Sequence, residues 1–458
     1  LRNLRDNLGD IQGSILRAYN MPFARYLFYT FDDPPAGREW LGKLRKRVTP
    51  ATVWAAADKP EATLNLSLSY AGLEALRVSA DTLASFPEEF RAGMAARSEV
   101  LGDDGESGPE QWEDAFQSGG LHALVAINAQ TSSALESELA SLEAIAEPFE
   151  GVSKRYVQEA SMPATGTEHF GFKDGIAQPS VEGCGMPEFP GQGTPSEGGK
   201  WRALKPGEFV VGYEGEDGLE APGPRPSALG VNGTYLVFRK LHQRVASFRD
   251  FLRTTAARLW DTDDPEKVEL LAAKLVGRWR SGCPLELSPD KDDADIASNP
   301  QINNNFRYAR DANGERCPVG AHIRRANPRG ALDETDTLVK RHRIMRRGLP
   351  YGDWLEGDTD DGVDRGLVFI ALNSSIERQF EFIQEEWINK GDTFFLDDEK
   401  DPLIGANDGS GTMTLPGPPV PFVFNLQRFV TVRGGEYFFM PGIEALHGLA
   451  QGTWSTDS

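Results

Sequence analysis

Several short stretches of this chain alternate apolar with polar positions, or run almost wholly apolar for seven to nine residues, and these predict strands. Thr63–Tyr70 (TLNLSLSY) alternates as a half-buried strand should, and Arg25–Phe31 (RYLFYTF) and Leu121–Ala129 (LHALVAINA) predict two more. Residues 38–48 predict a short helix. Thr131–Glu147 (TSSALESELASLEAIAE) predicts an amphipathic helix with a hydroxyl cap at its start. Later in the chain the theme returns. A strand at Thr234–Phe238 precedes a helix at His242–Leu259, and a strand at Gly366–Leu372 (GLVFIAL) precedes a helix at Ser375–Asn389. Residues 428–432 and 436–440 flank Gly434-Gly435, which predicts a hairpin. Between these regions, Cys184–Gly233 is dense in Gly and Pro and reads as an extended linker, with one hairpin arm at Glu208–Tyr213.

Strands mixed with helices and hairpins predict an α+β protein: antiparallel sheets with helices packed on one face. The 458 residues suffice for two such domains, taken as 1–200 and 201–458. The halves look like a diverged duplication, although no residue-level repeat is visible.

Charge narrows the partners. Forty-eight basic against 69 acidic residues leave a net charge of −21, which disfavours nucleic acid and anionic membranes. No apolar run approaches the roughly 20 residues that span a bilayer. The opening LRNLRDNLGDIQGS lacks the apolar centre of a secretory signal, which favours the cytoplasm, but with no initiating Met a removed export signal is also open. Cys184, Cys283 and Cys317 form neither a disulfide framework nor a metal-finger pattern. Acidic clusters such as Glu214, Glu216 and Asp217 offer carboxylate oxygens of the kind Mn²⁺ prefers, although such a loop is more often simply solvated.

Four segments carry chemistry. In GFKDGIAQP (Gly171–Pro179), Asp174 reads first as a turn residue before a glycine. In CPVGAHIRRANPR (Cys317–Arg329), His322 lies in a short helix stopped by Pro328, with Arg324 and Arg325 just beyond it. An imidazole followed by guanidiniums is what an iron porphyrin needs: an axial nitrogen, then cations for its propionates. RIMRRGLPYG (Arg343–Gly352) and GLVF (Gly366–Phe369) complete the set.

Taken together and in order, these segments resemble the dye-decolourising peroxidase superfamily, in its longer fungal and actinobacterial branch. The similarity extends from DIQGSILRAYN to VRGGEYFFMP, essentially the whole chain. It implies two ferredoxin-like domains in a dimeric α+β barrel-like arrangement, with one haem b per chain held mainly by the C-terminal domain. It implies an enzyme that uses hydrogen peroxide to oxidise bulky aromatic donors through a ferryl intermediate, with Mn²⁺ as a further candidate substrate. A haem carrier without turnover and a simple peroxide scavenger are the alternatives.

By the same resemblance, His322 matches the axial iron ligand and Asp401, in DPLIG, the carboxylate that accepts its N–H. Asp174 and Arg346 match the distal acid and arginine, with Arg347 as the adjacent competitor for the second role. Leu367 and Phe369 match an apolar pair lining the distal pocket, and Arg324, from its place after the imidazole, is taken as a cofactor-binding cation. Trp387 matches an exposed tryptophan that relays electrons, and Tyr351 is a second relay candidate. Ala177 departs from the usual Ser after the acid.

Overall fold

The computed structural model describes residues 2–117, 119–416 and 422–456. Nine strands form one sheet: β1 (Phe23–Phe31), β2 (Ala62–Leu68), β3 (Ala123–Ala129), β4 (Val152–Ser161), β5 (Thr234–Gln243), β6 (Met345–Arg346), β7 (Leu349–Tyr351), β8 (Gly366–Asn373) and β9 (Val430–Met440). Its spatial order is β4-β1-β3-β2-β9-β5-β8-β6, with β7 also on β8, and every described pairing within it is antiparallel. In the first half, α1 (Pro34–Leu44) joins β1 to β2, and α2 (Ser132–Ala146) joins β3 to β4. That is the ferredoxin-like βαββαβ path, with its fourth, first, third and second strands side by side. Counted from β5, the second half repeats the order: β9, β5, β8, then β6 and β7. The duplication that residues conceal is therefore plain in the topology. The halves meet where β9 pairs with β2 at Phe439 and Leu68.

Local chemistry explains the helix boundaries. Asp33 and Thr131 cap α1 and α2, each side-chain oxygen accepting an amide hydrogen bond (3.2 and 3.1 Å). One core spans both halves, and within it Phe28 sits edge-on to Phe116 (5.5 Å) and Phe238 (4.9 Å).

Four expectations need correction. Residues 428–440 make no hairpin at Gly434-Gly435; β9 runs straight through with a register shift between Val432 and Gly434. These glycines are needed for close approach rather than for a turn. A Cβ on Gly434 would lie 2.3 Å from the Phe116 ring, and one on Gly435 2.3 Å from Met94 Sδ. Gly434→Val is thus expected to lower stability by about 1–3 kcal/mol through overpacking, measured as a lower midpoint in urea unfolding. Second, the Gly/Pro-rich segment is no extended linker: Phe209, Val210, Val211 and Tyr213 are buried in the main core, and Glu208–Tyr213 forms turns rather than a strand. Buried Glu208 anchors it by an ion pair with Arg378 (2.9 Å). Third, His242 ends a strand: β5 continues to Gln243, and the helix α3 begins at Val245 and runs to Trp260.

Lastly, the helix expected at residues 375–389 forms, but it is wound as π-helix over Ile376–Glu381 and Ile383–Ile388. Asn389 N donates to the Gln384 carbonyl five residues back at 3.2 Å. Wider turns change which side chains share a face.

Candidate active site

After β4 the chain enters a loop tied by Glu168, whose two carboxylate oxygens accept the amides of Phe170 (2.9 Å) and Phe172 (2.8 Å). That loop delivers Asp174. Gly175 follows at φ +78°, a left-handed conformation that glycine adopts without strain. Asp174 Oδ1 accepts from the Gly175 amide (2.6 Å) and from Arg346 Nη1 (2.8 Å), and no described residue bonds to Oδ2. Arg346 comes from β6, in register with Ala371 of β8. Burial pushes the Asp174 carboxyl up, but Arg346 and the Gly175 amide outweigh it and hold the acid below the usual carboxylate range. Arg347, the neighbouring candidate, turns away and donates to the Ser14 carbonyl (2.7 Å).

His322 opens α4 (His322–Ala326), one short turn that ends before Pro328. Its Nδ1–H points to Asp401 Oδ2 at 2.9 Å, and Asp401 Oδ1 accepts the Leu403 and Ile404 amides, both at 2.9 Å. Nε2 therefore has no partner among the described residues. Burial lowers the His322 pKa, but the Asp401 carboxylate outweighs it and the net shift is upward. Burial, the largest single influence, pushes the Asp401 carboxyl up, but His322, the Ile404 amide and Arg325 together outweigh it and hold the acid below the usual carboxylate range.

A cavity of about 270 Å³ joins the two groups, with His322, Asp174 and Arg346 all on its wall. Leu367 and Phe369 line it from β8; two apart on a strand, they share a face.

Arg324 does not line it. Two positions beyond His322, it lies roughly 200° around the helix, where it is buried over the Tyr308 ring and donates to Asp311 and to the Cys317 carbonyl (2.7 Å). Its expected role as a cofactor cation is corrected to one of fastening the helix to its preceding loop. Arg325 does the same from the other flank, donating to the carbonyls of Trp387, Lys390 and Glu399.

Cations that do reach the cavity were missed. Arg278, Arg329 and Arg343 line it, and all three are buried. Arg278 and Arg329 donate only to neutral oxygens, among them Asn304 Oδ1. The Arg343 guanidinium makes no hydrogen bond to a described residue, and burial, with Arg329 nearby, pulls its pKa down to about 9. Arg329 and Arg343 stand inside the motif segments themselves, but nothing in their spacing marked them from other arginines.

Comparison with known proteins agrees with this arrangement. The pattern of the DyP dimeric alpha+beta barrel domain matches residues 10–160, and that of the Dyp-type peroxidase C-terminal region matches residues 227–403. The chain is 33% identical to Peroxidase 2 of Mycetinis scorodonius, over 96% of this chain and 87% of that one. It also superposes on an ancestral D-type dye decolorizing peroxidase, with a TM-score of 0.83, 33% identity and coverage of 98% and 99% of the two chains. A dye-decolorizing peroxidase in complex with 2,6-dimethoxyphenol gives a TM-score of 0.82 at 31% identity, covering 97% of this chain and 99% of that one. The chain belongs to the dye-decolourising peroxidase family.

The residues of this dye-decolourising peroxidase fit haem b. His322 offers a neutral nitrogen backed by an anion, the usual arrangement for an axial ligand. Arg343, buried without an anionic hydrogen-bond partner, calls for a carboxylate, and Arg329 and Arg278 stand beside it with no acid bonded to either. Ile323, Leu403 and Val430 supply apolar wall.

Two relay expectations are corrected. Trp387 is 1% exposed, packed between His342 (5.2 Å) and Phe382 (5.4 Å), with Nε1 unpartnered. Buried in this way, it does not meet a bulky donor at the surface. Tyr351 is 4% exposed; its hydroxyl donates to Asp364 (3.0 Å), and the Lys240 ammonium lies 4.8 Å from its ring. Trp387→Ala should therefore cost about 3–5 kcal/mol of stability as a core truncation, read as a lower thermal midpoint. The acidic loop is likewise committed: Glu216 pairs with Arg202 (2.6 Å) and Lys340 (3.5 Å), and Asp217 with Arg341 (2.8 Å) and Arg378 (3.6 Å). Among the described residues no three His, Cys, Asp or Glu side chains gather to hold a metal ion.

Proposed function

We propose that Asp174 and Arg346 prepare hydrogen peroxide for cleavage in a cavity where His322 holds haem b and Arg343 and Arg329 receive its carboxylates. The chain is a haem-dependent peroxidase that oxidises bulky aromatic donors, dyes included. The observation that carries the residue assignment is that one cavity is lined by Asp174, Arg346 and His322, with Asp174 bonded to Arg346 and Asp401 bonded to the imidazole from behind.

Bound haem supplies the redox-active iron at which the O–O bond of peroxide breaks. The chain's own residues manage protons and charge. Asp174 Oδ2, free while Oδ1 is engaged by Gly175 and Arg346, takes a proton from one peroxide oxygen and returns it to the other. Arg346 holds that carboxylate ionised and faces the negative charge that builds on the departing oxygen. Asp401 keeps the His322 N–H on Nδ1, so that Nε2 presents its lone pair. Leu367 and Phe369 keep this side narrow and dry. The donor class proposed is aromatic, and of the loop acids offered for Mn²⁺, Glu216 and Asp217 are already paired with cations.

An acid limb follows for the peroxide step. The carboxylate must be ionised, so the rate should hold into acidic pH and fall only as pH drops through the lowered Asp174 pKa. Arg346→Leu removes the main opposing charge and should move that limb to higher pH. A pH profile of the peroxide rate in parent and variant checks both. The proposal as a whole is tested by bleaching of an anthraquinone dye by the haem-loaded protein. Bleaching that needs peroxide and repeats over many turnovers supports it; haem uptake without turnover would make the protein a carrier, and peroxide loss without dye oxidation a scavenger.

A further inference from the structure

A second cavity, of about 60 Å³, adjoins the haem cavity. Phe369, Phe380 and Gln384 stand on the walls of both. At roughly 10–15 Å³ for each water-sized molecule, it admits a few such molecules and no aromatic ring.

Its far end is polar. Arg239, from β5, donates through Nη2 to Asp103 Oδ1, and both side chains are more than nine-tenths buried. Asp103 Oδ2 and Arg239 Nε make no hydrogen bond to a described residue. Such groups are costly to leave dry, so a guest that both donates and accepts suits this end of the chamber. The pair is neutral as a unit, which disfavours an ionic guest. The Gln384 side-chain amide, at the boundary with the haem cavity, also makes no hydrogen bond to a described residue. Arg428 stands at the outer end, donating to the Asp104 carbonyl (2.5 Å) and pairing with its exposed carboxylate.

We propose that this chamber binds hydrogen peroxide and is a second route by which peroxide reaches the haem cavity, distinct from the Asp174 side. Peroxide has the size, the neutrality and the paired donors and acceptors that Asp103 Oδ2, Arg239 Nε and Gln384 require. Water shares that chemistry, and the test separates the two. The inference rests on the peroxide function of the neighbouring site.

The experiment uses the haem-loaded protein. Ala406, on the chamber wall, is replaced by Leu to fill the space, and Arg428 by Ala to open the outer end. Ala406→Leu should slow the bimolecular reaction with peroxide several-fold with an unchanged starting Soret spectrum, and Arg428→Ala should leave it equal or faster. Crystals of the Asp174→Asn holoenzyme, in which peroxide consumption is slowed, are soaked in peroxide. Diatomic density bridging Asp103 and Arg239 supports the proposal; separate waters only would overturn it. A reactive parent whose rate neither substitution alters would overturn the chamber alone, whereas a parent inert to peroxide would overturn the function itself. Should Ala406→Leu fail to fold, the soaked crystal and Arg428→Ala still decide.

Discussion

His322→Ala is expected to abolish stable haem binding. The imidazole is the only histidine on the cavity wall among the described residues, and no cysteine lines it to take its place. His169 bonds to the Tyr351 carbonyl and His342 stacks on Phe382, both outside the cavity. Cys317 is buried, with a thiol pushed up to about 12 by that burial. Titrating apo-protein with haem should give a sharp stoichiometric Soret band for the parent and a broad, weak one for the variant. Asp401→Asn should be milder, weakening affinity by roughly 10–100-fold, as losses of a ligand's hydrogen-bond partner do. A His322→Ala protein with the parent's full band would place the ligand elsewhere.

Arg346→Leu carries the second large effect. Here haem binding should survive, because Arg346 does not approach His322 through any hydrogen bond, while the reaction with peroxide should slow by roughly 10²–10³, the usual loss for one positioned electrostatic group. Asp174→Asn should slow it comparably, since an amide cannot carry the proton. The two losses should not add fully: each residue positions the other through the 2.8 Å bond, so a double variant should lie well short of the product of the single effects. Rapid-mixing rates for the three variants measure this. Additive losses would mean that the two side chains act separately.

Much of this was legible in residue patterns, and the exceptions have physical causes. Strands with one or two buried faces declare themselves by alternation or by apolar runs, so β1, β2, β3 and β8 fall where expected. The motif segments likewise placed Asp174, Arg346, His322, Leu367, Phe369 and Asp401, and the structure brings these six to one site. Gly434-Gly435 misled because close packing and tight turning both call for a residue without a side chain; only Phe116, more than 300 residues earlier, tells them apart. The Gly/Pro-rich segment misled because a short apolar group within it, Phe209, Val210, Val211 and Tyr213, is spent on the core. Trp387 misled because its exposure was carried by the resemblance alone, and here His342 and Phe382 pack against it and close it off. Arg324 and Arg343 show the remaining limit. Both are buried guanidiniums near motif histidine or arginine, and only the position of Asp311 beside one of them decides which is left to meet the cofactor.

With both relay candidates inside the protein, the path from bulky donors is not through a surface-exposed Trp387 or Tyr351. Peroxide activation does not depend on that path. It depends on the cavity that joins Asp174, Arg346 and His322, and the most direct test of that cavity is rapid mixing of the haem-loaded protein with one equivalent of hydrogen peroxide, with no donor present, while the Soret band is followed. A prompt, stoichiometric shift of the band in the parent, slowed by two to three orders of magnitude in Arg346→Leu, is the predicted result. A band that stays in place, or one that shifts equally fast in both proteins, would contradict it.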